Sequence, residues 1–193
     1  MKNEIILLII GGGIAIISSI LTLVATQIID RLGKVKIYTK IVYSKLPPNK
    51  TWGAFSGQDG IAFQVPLWIE IINTANAAKV IRDFSLMLYK NGEKIAKMTQ
   101  INKITLGQDE EIMVANEGAY SFVIEPRSVK RYDLHFIIKK SEVSNDFDEL
   151  KVSFYDLKDK QRLVLLKKVD NCWQMNSRPI DKDWRLLKSK DGI

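Results

Sequence analysis

Between Glu4 and Asp30 the chain runs for 25 residues, Ile5 to Ile29, without a single charge, and no other feature limits its folding as strongly. A helix rises about 1.5 Å per residue, so about 20 residues cross the roughly 30 Å hydrocarbon layer of a bilayer. The run is long enough to cross with some tilt. In lipid a lone segment must satisfy its own backbone N–H and C=O groups, and only a helix does so. A cleavable signal peptide carries an apolar region of about 7–15 residues ending at a small-x-small site. Here the run is longer, and Leu23-Val24-Ala25-Thr26-Gln27 is a poor cleavage site. The expectation is a short tail, 1–4, and one uncleaved transmembrane helix, 5–29.

Gly11, Ala15, Ser18, Ser19, Thr22 and Ala25 recur every three or four positions along this helix. A face with so little bulk lets two membrane helices approach closely. Gly11, Ala15, Ser18, Ser19 and Thr22 are therefore the candidate helix–helix packing residues, toward a second copy or a larger membrane complex. Gly11-Gly12-Gly13 lies inside the span, so it is not a phosphate-binding loop.

Before the helix the only cationic side chain is Lys2, whereas Arg31, Lys34, Lys36, Lys40, Lys45 and Lys50 come after it. Positive flanks favour the cytoplasm, which places the larger part of the chain inside; export is the alternative, because long domains translocate regardless of charge. Lys2 and Glu4 cancel, so the net charge of +7 belongs to residues 30–193. Such a domain beside a bilayer attracts an anionic surface, either headgroups or, outside the cell, wall polymers. No Arg/Lys-rich run or aromatic-basic stripe points to nucleic acid.

The residues beyond the helix suffice for one ordinary domain. Val35, Ile37, Thr39, Ile41 and Tyr43 alternate with Lys36, Tyr38 and Lys40, the period of a half-buried strand. A loop over 44–60 carries Pro47-Pro48, Gly53, Gly57 and Gly60. From 61 to 74, alternate residues Ile61, Phe63, Val65, Leu67, Ile69 and Ile71 share a face, and Pro66 predicts an edge position or a bulge. Val80, Phe84, Leu86 and Leu88 form another face, interrupted by Arg82. Asn91-Gly92 then predicts a two-residue hairpin, since both positions tolerate the positive φ of a type I′ turn. Further strands are expected over 94–101, 111–115, 119–125, 129–139 and 149–156, the last pairing with 161–168. Turns at Gly107, Gly118, Pro126 and Asp159-Lys160 separate them.

Many short strands without intervening helices mean a mainly β fold, a sandwich or barrel, over 35–168. The rhythm from Trp68-Ile69-Glu70-Ile71-Ile72-Asn73 to Asn91-Gly92 resembles immunoglobulin-like modules of uncharacterised bacterial membrane proteins. That resemblance implies an immunoglobulin-like antiparallel β-sandwich and nothing about activity; the Cys-Trp-Cys hallmark of antibody domains is missing. In the tail, 169–193, Pro179, Asp181, Asp183, Lys188, Lys190 and Gly192 stand in the order of helix start and stop signals. They predict a short C-terminal helix with Ile180, Trp184 and Leu187 on one face.

Cys172 stands alone, which excludes an internal disulfide, a zinc site with two thiolates and a CxxC redox pair. His135 is the only histidine, and its place between Leu134 and Phe136 predicts a solvent-facing side chain without catalytic work. Asp109, Glu110 and Glu111, and separately Asp146, Asp148 and Glu149, form acidic clusters without EF-hand spacing. The sequence thus predicts no catalytic, metal-binding or cofactor-binding residue. Asn49-Lys50-Thr51 matches a glycosylation sequon. Trp52, Phe55 and Trp184 are candidate surface contacts. The functional expectation is a membrane-anchored, non-enzymatic interaction module, with a subunit of a larger complex and an enzyme as alternatives.

Overall fold

In the computed structural model the apolar run is one helix, α1 (Lys2–Arg31). The structure describes residues 2–31, 33–46, 51–57, 59–106, 110–116, 120–156 and 158–187. Pro47, Pro48, the sequon at Asn49 and Lys50, Gly107, Asp109, Gly118 and the helix-stop residues Lys188, Lys190 and Gly192 lie outside them. Within α1 the span Ile5–Ile29 has a mean hydropathy of 2.5 and buries none of its surface against the chain. Three of its hydroxyls are satisfied internally: Ser19, Thr22 and Thr26 each donate 2.8 Å to the carbonyl four residues earlier. Side chains in hydrocarbon need such partners.

The remainder is antiparallel β structure. Its strands are β1 (Val35–Ile41), β2 (Gly53–Gly57), β3 (Gly60–Asn73), β4 (Lys79–Lys90), β5 (Glu93–Lys97), β6 (Thr99–Ile101), β7 (Lys103–Leu106), β8 (Glu110–Met113), β9 (Phe122–Ile124), β10 (Ser128–Lys139), β11 (Glu149–Tyr155), β12 (Gln161–Lys168) and β13 (Arg185–Leu186). One sheet has the order β13-β1-β3-β10-β6, with β2 also on β3. A second has the order β12-β11-β4-β5, with β9 also on β4, and β7-β8 pair separately. Alternation decides which faces meet: Ile37, Leu67 and Phe136 of the first sheet join Leu86, Val152 and Val164 of the second in one buried core. Phe63, Val65, Leu67, Ile69 and Ile71 are fully buried, as their spacing predicts. Each such side chain removed from water contributes about 1.5–3 kcal/mol.

The Asn91-Gly92 turn forms as expected, with φ of 50° and 86°. Several local expectations change: the loop expected over 44–60 holds β2, and Tyr43, expected on the buried face, is exposed. Pro66 lies in an interior strand: β3 pairs with β10 from Ala62 to Asn73, while on its other side β1 ends at Leu67 and β2 begins at Gln64. The missing N–H therefore falls where one neighbour hands over to the next. In β4 the residues facing the core are Ile81, Phe84, Leu86 and Leu88, while Val80 is exposed. A bulge causes this: Asp83 has φ 49°, and the register with β11 slips between Ser85 and Arg82. One extra residue there inverts the phase of everything before it. Residues 94–101 are two strands, because Met98 crosses from one sheet to the other and donates its N–H to Leu86 O at 2.9 Å.

No helix forms over 179–187. The segment is extended and runs along the edge of β1, ending in β13. Asp181 donates its N–H to Ile41 O, its carboxylate accepts the Ile41 N–H, both at 3.0 Å, and Leu187 N–H reaches Ile37 O at 2.8 Å. Edge groups of β1 that would otherwise face water are thereby paired. Val169, Cys172 and Leu187 belong to the same core as the sheets.

Candidate interaction site

Alternation along β3 and β10 sends Ala62, Gln64, Trp68 and Glu70, and Arg131, Asp133, His135 and Ile137, to the face of the first sheet opposite the core. Part of that face is buried. His135 is fully buried there, not solvent-facing, and Ser44 and Thr51 meet its partner Gln64 on that face. Its Nε2 lies 3.1 Å from Gln64 Oε1. That oxygen also accepts the Ser44 hydroxyl, Gln64 Nε2 donates to Thr51 O, and Ser44 Oγ accepts the Leu46 N–H. An amide oxygen only accepts, so Nε2 carries the proton and Nδ1 is bare, with no partner among the described residues. Burial, with Lys45 adding to it, lowers the imidazole pKa from 6.5 to about 4. It is a neutral structural group.

Beside this network lies a cleft of about 500 Å³. Ala62 and Ile137 of the sheet, Phe55 of β2, Ile104 of β7 and Leu46 make it largely apolar. Its charged residues are Asp59 and Lys139, 2.7 Å apart. The Lys139 hydrogen bond and charge hold the Asp59 carboxyl below the usual range, and Asp59 raises the Lys139 ammonium. The pair leaves the cleft without net charge.

Of the aromatic surface candidates, Phe55 is half-buried and lines this cleft. Trp52 is no surface contact but packs over the sheet, the other reading its loop position allows: it is 3% exposed, donates Nε1–H to Pro179 O at 2.9 Å, and packs edge-on against Phe63 at 6.2 Å. The Arg178 guanidinium lies 5.3 Å from its ring centre and donates to the Asp170 and Asn171 carbonyls. Trp52 thus fastens the tail to the domain. Trp184 is half-buried on the extended tail, stacked on Trp68 with ring centres 6.4 Å apart. Arg131 sits 5.0 Å from Trp184 and 5.8 Å from Trp68, and ion-pairs with Glu70 at 3.0 Å. Trp68 and Arg131 were legible as outward-phase residues among inward-facing neighbours, but no local pattern joins them to Trp184.

The acidic residues do not converge. Asp59 pairs with Lys139, Glu149 with Lys151 and Glu111 with Lys103, while Asp146 is exposed. Among the described residues no three His, Cys, Asp or Glu side chains form a group that could hold a metal ion. Burial raises the Cys172 thiol pKa. On α1, Ser18, Ser19 and Thr22 border a shallow groove with Leu23, Thr26 and Gln27, whereas Gly11 and Ala15 lie nearer the amino terminus. Comparison with family models, curated proteins and solved structures finds no match.

Proposed function

We propose that the protein is a membrane-tethered, non-enzymatic interaction module, an immunoglobulin-like β domain held at the bilayer by α1 and facing the cytoplasm. The observation that carries this reading is an apolar helix of 25 residues that buries nothing against its own chain, beside a domain whose core closes without it. In water such a surface is untenable; in lipid it costs nothing. The strand order supports the fold: β1-β3-β10-β6 and β12-β11-β4-β5 correspond to the A-B-E-D and G-F-C-C′ sheets of immunoglobulin-like domains. Tethering to a plane raises the module's effective concentration toward a protein partner or a second copy. The test is extraction of membranes at alkaline pH, with reporters fused after Lys168 and before Lys2. The full chain should stay with the membrane and the fusion after Lys168 should report cytoplasm; intact chain in the soluble fraction without detergent would refute the tether.

A second reading makes the protein a subunit of a larger membrane complex, and the groove at Ser18, Ser19 and Thr22 favours it. A Cβ added at Gly11 meets nothing within 4 Å. The double substitution Gly11→Leu and Ala15→Leu should therefore spare the chain itself and disrupt assembly alone.

A further inference from the structure

We infer that the end of the β domain joined to α1 docks on anionic lipid headgroups of the same bilayer, a reading that rests on the membrane tether. Strand direction fixes which residues share this end. β1 begins there at Val35, opposite Asn73 at the close of β3, whose next neighbour is Ser128 at the start of β10. The chain then crosses into β4, where Lys79 faces Ile124 of β9 and Arg82 faces Tyr155 at the close of β11, itself opposite Gln161 of β12.

This end is strongly basic. Lys34 and Lys36 come from the start of β1, Lys79 from the start of β4, Arg127 and Lys130 from the turn into β10 and its first residues, and Lys158 and Lys160 from the β11–β12 turn. Among the described residues none of them is in an ion pair. Among the described residues the acids of the same end are engaged, Asp159 by Arg82, Asp156 by Arg162 and Asp83 by Lys97, except Glu125. The opposite end mixes Asp59, Glu93, Glu142, Asp146 and Asp170 with its lysines. Apolar groups lie among the cations: Val80 and Val123, paired across β4 and β9, are 42% and 53% exposed, and Val129 is 58% exposed. Lysine stems with such neighbours suit an interface where the ammonium stays wet and the carbon chain does not.

The connection holds this end close. Only residues 32–34 separate Arg31 from Val35, a reach of about 10 Å. The last two are pinned: Lys34 N–H donates to Thr74 Oγ1 at 2.8 Å, Thr74 N–H donates to Lys34 O at 3.1 Å, and Gly33 lies against Ala75. The reach is comparable to the roughly 8 Å screening length at physiological salt. Each cation near an anionic leaflet favours the docked state about fivefold.

The experiment reconstitutes the full chain in nanodiscs of phosphatidylcholine alone or mixed with phosphatidylglycerol, with a quencher on the headgroups. One dye is placed at Ala78→Cys, on the basic end, and a control dye at Asn145→Cys, on the opposite end; Cys172 is buried. Quenching at position 78 should be stronger in anionic discs and weaken with salt, while position 145 changes little. Lys79→Gln or Lys160→Gln should each lower the docked-to-undocked ratio about fivefold. Equal quenching at position 78 in both lipids overturns the inference and leaves the tether standing. Failure of the chain to enter phosphatidylcholine discs overturns the tether and the inference together.

Discussion

Acid should loosen the domain through one residue. His135 is the only histidine, it is fully buried, and its pKa lies at about 4 against an unfolded 6.5. A folded pKa below the unfolded one means that the unfolded chain binds the proton first. Stability is then complete above the unfolded value and falls as pH drops toward the folded one. At about 1.4 kcal/mol per pH unit, the loss from pH 7 to pH 5 comes to roughly 2 kcal/mol. Asp59, Asp83 and Asp156 have folded pKa values below an unfolded 3.8, so their contributions fade only beneath that window. The assay is guanidinium unfolding of the full chain in micelles, followed by tryptophan fluorescence. All four tryptophans, Trp52, Trp68, Trp173 and Trp184, lie in the β domain and report it alone. The midpoint should fall between pH 7 and pH 5 in the wild type and stay level in His135→Asn. A level wild-type midpoint, or the same slope in the variant, would show that protonation here does not oppose folding.

Gly33→Ala should destabilise the domain by at least about 2 kcal/mol in the same titration: at φ +138° its Cβ would lie 2.4 Å from Ala75 Cα. Asp181→Ala removes the acceptor of the Ile41 N–H and the partner of Lys167 and Arg185, at a cost of about 2 kcal/mol. Limited proteolysis should then cut within 179–187, whereas Asp181→Asn, which keeps the acceptor, should resist.

Where a residue's fate depended on its own strand, the sequence was legible. The alternation of Phe63 to Ile71 and the Asn91-Gly92 turn carry their meaning within a few positions, and both appear as expected. The failures have a common cause. His135 is in the outward phase of β10, yet Ser44 and Thr51, distant in sequence, meet its partner Gln64 on that face. Pro179, Asp181 and Asp183 have the order of a helix start. The same Asp181 carboxylate instead serves an edge N–H 140 residues away. Asp83 fits a strand by neighbourhood, but its positive φ inserts the bulge that turns Val80 outward. The cleft draws Leu46, Phe55, Ala62, Ile104 and Ile137 from separate segments, so no single run of sequence announces it.

The pinned junction and the covered edge answer one requirement. A domain fixed close to a bilayer spends its life at high local concentration beside other copies and other chains, where an unpaired strand edge invites sheet-to-sheet association. The first sheet would present β1 as that edge. The 179–187 strap closes it, with Trp52 bonded to Pro179, Asp181 bonded to Ile41, and Leu187 bonded to Ile37. It meets β1 at Ile37 to Ile41, and Val35 and Lys36 pair on their other side with Asn73 and Ile72. In the docked arrangement proposed above β1 still shows no bare edge over Ile37 to Ile41, and Asp181→Ala, by freeing the strap, should raise the oligomeric fraction in native gels of the micellar protein.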